Sequence, residues 1–358
     1  MINPPLLLVS ALFFLGVTSL AYFGAWTIMN VLWRIFPQLP PQRARALLSV
    51  AIIAPPVAAW TLTAGGAFLR HSHSTETLHH NIYCSEIARF LALPEGKLPV
   101  LPGLAAQGAA WLLLAWGILT LCRLVHATIA LERGLSPYLH LPSEKLSATI
   151  ARMRSEVDCA GLQFFESDIP MEFSCLIGIR RIRCVLSKQL VAASTRDELE
   201  AIVLHEAIHF RYGDTWRTLI IGMLNCFFQF LPPVGLLSRR WREETELACD
   251  AATARVTGAP LALASAILRT QGVPVRGLSM PTTTLGFAEE TACSPAKRVE
   301  RLLAYAQGEL SKIEVRSAPA WQWITSSILV VTGLALLLSP NGLCMAHCSL
   351  EAVSRALH

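Results

Sequence analysis

Residues 204–209, LHEAIH, set two histidines four residues apart with a glutamate directly after the first. On a helix, His205 and His209 would lie one turn apart on the same face, so both imidazoles could bind one zinc ion. Glu206 would project beside them, where its carboxylate could take a proton from zinc-bound water. The stretch therefore predicts a catalytic zinc site that still needs a third protein ligand. A surface helix with two incidental histidines is the alternative.

A second acidic pair strengthens the zinc interpretation. Residues 243–256 are strong helix formers that end before Gly258, and they place Glu246 and Asp250 four residues apart on one helix face. Glu246 can complete a His, His, Glu ligand set with water in the fourth position. Asp250 can then accept a hydrogen bond from a ligand imidazole and fix its orientation. By themselves, the two acidic residues would indicate only a solvated face.

The composition indicates a membrane protein. Of 358 residues, 53% are hydrophobic and only 15% are charged, and the mean hydropathy is +0.47. A composition this apolar is not that of an ordinary soluble protein. The net charge of +5 is modest and no nucleic-acid-binding module is recognisable, so direct nucleic-acid binding is not expected. The ten cysteines lack C-x-x-C spacing, which argues against a disulfide scaffold and a cysteine zinc site.

Four apolar stretches are long enough to cross a bilayer, and each is predicted to be a transmembrane helix. They cover about residues 5–33, 47–69, 104–130 and 320–340. Arginines in the short connection after the first stretch favour the cytoplasmic side for that connection, which puts the N-terminus outside. Residues 131–319 are then a cytoplasmic domain, whereas the loop 70–103 and the short tail 341–358 are extracytoplasmic.

Within the cytoplasmic domain, residues 218–237 form an uncharged run that is broken by Pro232 and Pro233. A true crossing here would put Glu246 on the opposite side of the membrane from the two histidines. The run is therefore predicted to be a membrane-associated helix that lies against or dips into the inner leaflet.

The outer loop is rich in residues that bind metals or titrate near neutral pH. A metal-binding or pH-sensing loop is conceivable, but no spacing fixes a geometry, and a polar loop with incidental histidines is favoured. The residues concerned are His71, His73, His79, His80, Cys84 and Glu86.

Short strands are predicted before the histidine helix, at 162–166, 173–177 and 181–186, and they suggest a small antiparallel sheet. Thr195 and Glu198 are spaced as a capping box, so the helix that carries the histidine pair should begin at Arg196.

An extended substrate peptide could pair with an edge strand of this sheet and present its scissile bond to the metal. The strand shortly before the zinc helix is the candidate. Ser174, Cys175 and Leu176 are therefore predicted to bind substrate.

Residues 198–252 resemble the M56 membrane metallopeptidases, the antirepressor family of the β-lactam sensor-transducers. The resemblance rests on HEAIH, then Arg211 and Asp214, then an apolar segment ending in LPP, then ETELACD at 244–250. The E-x-x-C-D ending is also similar to the E-x-x-A-D of the related M48 proteases.

The resemblance implies a multi-pass α-helical protein of the bacterial inner membrane with a cytoplasmic α+β gluzincin metallopeptidase domain. It also implies Zn²⁺ on His205, His209 and Glu246, catalysis by Glu206 and a supporting role for Asp250. The family's sensors carry a penicillin-binding-protein-like domain after the last span. This sequence ends at His358 without an outer S-x-x-K motif, so direct acylation by a β-lactam is not expected.

The expected function is a zinc endopeptidase that cleaves a protein substrate in signal transduction, either a cytoplasmic repressor of the winged-helix type or the chain itself. An M48-like quality-control protease is the first alternative, and a non-catalytic membrane scaffold is the second. Retention of Glu206 argues against the scaffold, because a structural site needs no base. The lipid bilayer is an expected partner, and a homodimer is left open.

Overall fold

The computed structural model of the protein describes residues 4–37, 39–72, 100–179, 181–270, 285–286 and 294–308. One compact unit consists of Leu32–Val50 and Ile118–Arg316, and it contains every element of the site discussed below. The other unit holds most of the first two long helices and the first part of the third. The span predicted at 320–340, the tail and the side chains of the outer histidine cluster lie outside the described part.

In the N-terminal part of the chain, the described residues form three long helices: α1 (Pro4–Ile35), α2 (Pro41–Ser72) and α3 (Val100–Leu135). Segments Phe14–Ile35, Pro41–Thr61 and Leu112–Tyr138 are long and apolar enough to cross a membrane. These segments overlap the three spans predicted in this region, which supports a membrane protein.

The domain that follows is an α+β arrangement in which a small sheet precedes the main helices. After a 3₁₀ turn, the elements are β1 (Leu139–His140), α4 (Glu144–Glu156), β2 (Gln163–Ser167), β3 (Ser174–Ile177), β4 (Arg183–Ser187), α5 (Lys188–Ala193), α6 (Arg196–Arg211), α7 (Asp214–Phe228), α8 (Pro232–Thr257), α9 (Pro260–Thr270), β5 (Leu285–Gly286) and α10 (Pro295–Ala306).

The strands form a mixed sheet with the order β1-β2-β4-β3-β5. β3 and β4 pair antiparallel, but β4 also pairs parallel with β2, so the prediction of a purely antiparallel sheet was wrong. The cause is the chain path: β3 turns back at Gly178 to give β4, which then inserts between β2 and β3. Gly178 has φ +95°, and a Cβ there would collide with the carbonyl oxygen of Arg181, so the turn requires glycine.

Strand β3 is not at the edge of the sheet. The prediction that it is an edge strand open to a substrate peptide was therefore wrong. β5 pairs antiparallel with its outer side, with Cys175 opposite Gly286 and Leu176 opposite Leu285. The strand's own four residues are all buried. A segment of the chain itself therefore occupies the place that was predicted for a substrate peptide.

Helix α6 begins at Arg196 as the capping box predicted. The Thr195 side chain accepts from the Glu198 backbone N–H, and the Glu198 carboxylate accepts from the Thr195 N–H at 2.8 Å. Helix α6 packs against α4, α8, α9 and β3, and its residues Leu199, Ile202 and Val203 have no exposed surface. It is thus the central helix of the domain core.

The apolar run at 218–237 is not a single helix. Helix α7 ends at Phe228, and α8 begins at Pro232, which lacks an N–H and is well suited to the first turn of a helix. The second part of the run therefore forms the first turns of the helix that carries Glu246. Association of this region with the membrane stays a prediction.

Candidate metal centre

The two histidines lie one turn apart on α6, and their Nε2 atoms are 3.0 Å apart. Both rings are almost completely buried. The sequence spacing predicted this shared face, and burial in the core fixes it, because neighbouring side chains surround the imidazoles.

Glu246 approaches the same point from α8. Its Oε2 lies 3.6 Å from His205 Nε2, and its Oε1 lies 3.5 Å from His209 Nε2. Zinc bonds of about 2.0–2.1 Å in tetrahedral geometry hold neighbouring ligand atoms about 3.3 Å apart. The two imidazoles and the carboxylate therefore fit zinc in both donor type and spacing.

Each histidine has a carboxylate on its other ring nitrogen. Asp250 Oδ1 lies 3.2 Å from His205 Nδ1. Asp214 Oδ2 lies 3.1 Å from His209 Nδ1. An Nδ1–H that donates to a carboxylate leaves the Nε2 lone pair for a metal, so both rings are prepared as ligands.

Sequence reasoning gave Asp214 no role of its own. It stands five residues after His209 at the start of the next helix, where no helical spacing relates the two side chains. Gly213, with φ +67°, makes the turn that brings it back to the histidine.

Each of these aspartates is bound by an arginine that the sequence did not connect with the site. Arg298 on α10 donates two hydrogen bonds of 2.7 Å to Asp250, and its Nη1 lies 3.0 Å from Glu246 Oε2. Arg45 on α2 donates from Nη1 to both oxygens of Asp214, at 2.9 and 3.0 Å. All four carboxylate and guanidinium groups in these two pairs are buried.

Charge in this pocket favours a cation among the ligands. Burial alone would raise the pKa of Glu246, but Arg298 and the two histidines lower it to about 2. Burial would lower the pKa of His205, but hydrogen bonds to Asp250 and Glu246 raise it to about 9. The pocket therefore holds the Glu246 carboxylate ionised and stabilises positive charge at His205.

Glu206 is fully buried, and only one of its oxygens is used. Ser174 Oγ donates to Oε1 at 2.8 Å, whereas Oε2 has no hydrogen-bond partner among the residues that the structure describes. Burial raises the pKa of this carboxyl, which makes it a better proton acceptor. A buried oxygen of this kind calls for a ligand such as a water molecule at the metal position.

Cys249 stands behind His209, with its Sγ 3.3 Å from Nδ1. Together with Asp214 these residues form a second group of potential ligand atoms. Burial raises the pKa of the Cys249 thiol well above its ordinary range, so it stays protonated. Because Arg45 already occupies the Asp214 carboxylate, this group supports His209 and is a poor metal site.

The three predicted substrate-binding residues are brought near the centre but have other partners. Ser174 contacts Glu206, and Cys175 and Leu176 pair with β4 on one side and β5 on the other. Substrate binding by these residues stays a prediction, and a peptide could pair with β3 only by replacing β5.

Comparison with known families agrees with this geometry. Residues 145–275 match the profile of the family Peptidase_M56, which is described as BlaR1 peptidase M56. No curated protein matches the chain. The matched segment contains the histidines, Glu206, Glu246 and both aspartates, but neither arginine. Residues 145–275 of this chain are therefore similar to the peptidase domain of the M56 family.

Proposed function

We propose that the protein is a zinc-dependent membrane endopeptidase that acts in signal transduction by cleaving a cytoplasmic transcriptional repressor or itself. The observation that carries the proposal is Glu206 Oε2, which has no hydrogen-bond partner in the part of the chain that the structure describes. It lies on the same helix turn as His205 and His209, which converge with Glu246. A structural metal site has no use for such a base. The M56 match and the three apolar helices support a peptidase at a membrane.

Zinc would be held by His205, His209 and Glu246, where it would polarise the peptide carbonyl and acidify a water molecule. The protein's own part in the reaction is proton transfer. Glu206 Oε2 takes a proton from the attacking water and later delivers it to the leaving amine. Ser174 holds the other oxygen of Glu206, so that Oε2 keeps its direction during this transfer.

One observation favours the chain itself as a substrate. Leu285 and Gly286 pair with β3, the strand whose first residue, Ser174, binds the catalytic base. A substrate peptide adding to this strand would use the same backbone groups.

The placement of the domain in the cytoplasm rests on the concentration of Lys and Arg between residues 123 and 316.

Paired variants test the proposal. Purified wild type and Glu206→Gln should both contain zinc, whereas His205→Ala should lose most of it. Only wild type should produce a defined cut in a co-expressed tagged copy of Glu206→Gln or in a small winged-helix repressor. Broad accumulation of misfolded membrane proteins in cells with Glu206→Gln would favour an M48-like quality-control protease instead. Equal behaviour of wild type and Glu206→Gln in every assay would favour a scaffold.

A further inference from the structure

Arg45 is a buried charge near the start of a helix that is long and apolar enough to cross a membrane. It lies on α2, where the candidate span Pro41–Thr61 begins, and only 8% of its surface is exposed. Its Nη1 contacts both oxygens of Asp214, which has no exposed surface. Burial of this pair is costly unless each charge has a partner, so the contact ties the start of α2 to the start of α7.

The face of α2 that carries Arg45 contacts the site region at three levels. Gln42, Arg45 and Ser49 follow the spacing of one helix face. Gln42 Nε2 lies 3.5 Å from the hydroxyl of Tyr212, and the Arg45 guanidinium lies 4.3 Å from the centre of the same ring. Ser49 accepts a hydrogen bond of 2.9 Å from Trp241, which precedes Glu246 on α8. One face of α2 therefore reaches the end of the histidine helix and the helix of the third ligand.

The Arg45 contact continues to a ligand atom. Asp214 Oδ2, which lies 3.0 Å from Arg45, is also the oxygen that lies 3.1 Å from His209 Nδ1. Arg217 contacts the other oxygen, Oδ1, at 3.3 Å, and it is substantially exposed. Arg217 can thus compensate part of the charge, but of these two arginines it is Arg45 that contacts both oxygens, including the one that faces the histidine.

We propose that Arg45 is a positioning residue for the metal ligand His209, acting through Asp214, and that it links membrane helix α2 to the metal centre. This inference rests on the proposed metallopeptidase function. A shift or rotation at the start of α2 would move the Arg45 guanidinium, reorient Asp214 and change the direction of the His209 lone pair. Carboxylates that orient metal-bound histidines affect metal affinity by about 10- to 100-fold when removed.

The test uses the full chain in detergent micelles with Co²⁺ as the probe, because the visible absorption of bound Co²⁺ reports ligand geometry. The variants are Arg45→Met, Arg45→Lys, Asp214→Asn and the double variant Arg45→Met/Asp214→Asn. Arg43→Met is the matched control, since it removes the same charge two residues away on the same helix. Zn²⁺ affinity is measured by competition with a chelator.

Arg45→Met should weaken Zn²⁺ binding by about 10- to 100-fold and change the Co²⁺ spectrum. Arg45→Lys, which keeps a cation, should recover part of both, and Arg43→Met should match wild type. If Arg45 acts through Asp214, the double variant should be no worse than Asp214→Asn alone. The double variant leaves no unpaired aspartate, so it reports on the coupling even where Arg45→Met folds poorly.

Two results would overturn the inference: a wild-type Co²⁺ spectrum and Zn²⁺ affinity in Arg45→Met, or effects of Arg45→Met and Asp214→Asn that simply add. Failure of the proposed function would look different. In that case wild type would bind Co²⁺ but cleave no substrate, and the metal-binding measurements on the Arg45 variants would still decide the role of this residue.

Discussion

Arg298 binds both oxygens of Asp250, with Nε 2.7 Å from Oδ2 and Nη2 2.7 Å from Oδ1, and both side chains are buried. The pair joins α10 to α8 behind His205. It lowers the pKa of Asp250 far below its ordinary value, although burial alone would raise it. Asp250 therefore stays ionised and can keep accepting from the His205 ring.

Replacing Arg298 by Met should destabilise the domain and weaken metal binding together. Removing one partner of a buried ion pair leaves the other charge uncompensated, which costs about 3–5 kcal/mol. The thermal unfolding midpoint and the Zn²⁺ affinity of the detergent-solubilised chain measure the two effects. Lys297→Met is the matched control, because this neighbouring cation is 41% exposed and lies 3.4 Å from Glu243, so its loss should change little. An unchanged Zn²⁺ affinity in Arg298→Met would contradict a supporting role in the centre.

Ser174→Ala should slow peptide cleavage without loss of zinc. The Ser174 hydroxyl donates to Glu206 Oε1, and a hydrogen bond to a charged group contributes about 1.5–3 kcal/mol, or about 10- to 100-fold in rate if it is needed in the transition state. The measurements are the cleavage rate of a tagged Glu206→Gln copy and the zinc content. Ser174→Thr keeps a hydroxyl and should retain more activity than Ser174→Ala. A wild-type cleavage rate in Ser174→Ala would show that Glu206 does not need the hydrogen bond from Ser174 for catalysis.

Glu198 should make the domain sensitive to acid. Burial tends to raise the pKa of Glu198, but hydrogen bonds from Ser265 and Thr195 and the nearby Arg269 lower it below 4.5 overall. A carboxyl whose folded pKa is lowered stabilises the protein above its unfolded pKa, and this contribution is lost as the pH falls through the folded value.

The acid sensitivity is measured by comparing wild type with Glu198→Gln at pH 7 and at about pH 4. The variant should unfold at a lower temperature than wild type at pH 7, and the difference should shrink at about pH 4 as the wild-type carboxylate is protonated. Glu200→Gln, on the same helix but more exposed and 3.8 Å from Arg152, should show no such change in the difference. A constant gap between Glu198→Gln and wild type would contradict the assignment.

The features that the sequence predicted correctly are those encoded by neighbouring residues. The capping box at Thr195 fixes the start of α6, and the four-residue spacing puts His205 and His209 on one face regardless of the remaining fold. The spacing of Glu246 and Asp250 works in the same way on α8. The positions of the strands could also be predicted from neighbouring residues. Their order in the sheet depends on the insertion of β4 between β2 and β3, which no sequence periodicity indicates.

The two arginines could not be predicted because their partners are remote in sequence. Arg45 is one of the arginines near the connection between the first two spans, and the preference of positive residues for the cytoplasmic side is satisfied without any specific contact. Arg298 is one of several basic residues at the start of α10, and nothing in their spacing singles it out. Their roles follow from the approach of α2 and α10 to buried aspartates, and that approach depends on the packing of the whole domain.

Leu285→Pro should release β3 for substrate. Proline at this position removes a backbone N–H and disfavours the strand that pairs Leu285 with Leu176. If β5 occupies the substrate position, the variant should cut a separate tagged Glu206→Gln copy faster than wild type does. Leu285→Ala keeps the backbone N–H and should behave as wild type. Equal cleavage by the proline variant and wild type would show that β5 does not compete with substrate, whereas slower cleavage would show that β5 is needed to hold β3 and Ser174 in place.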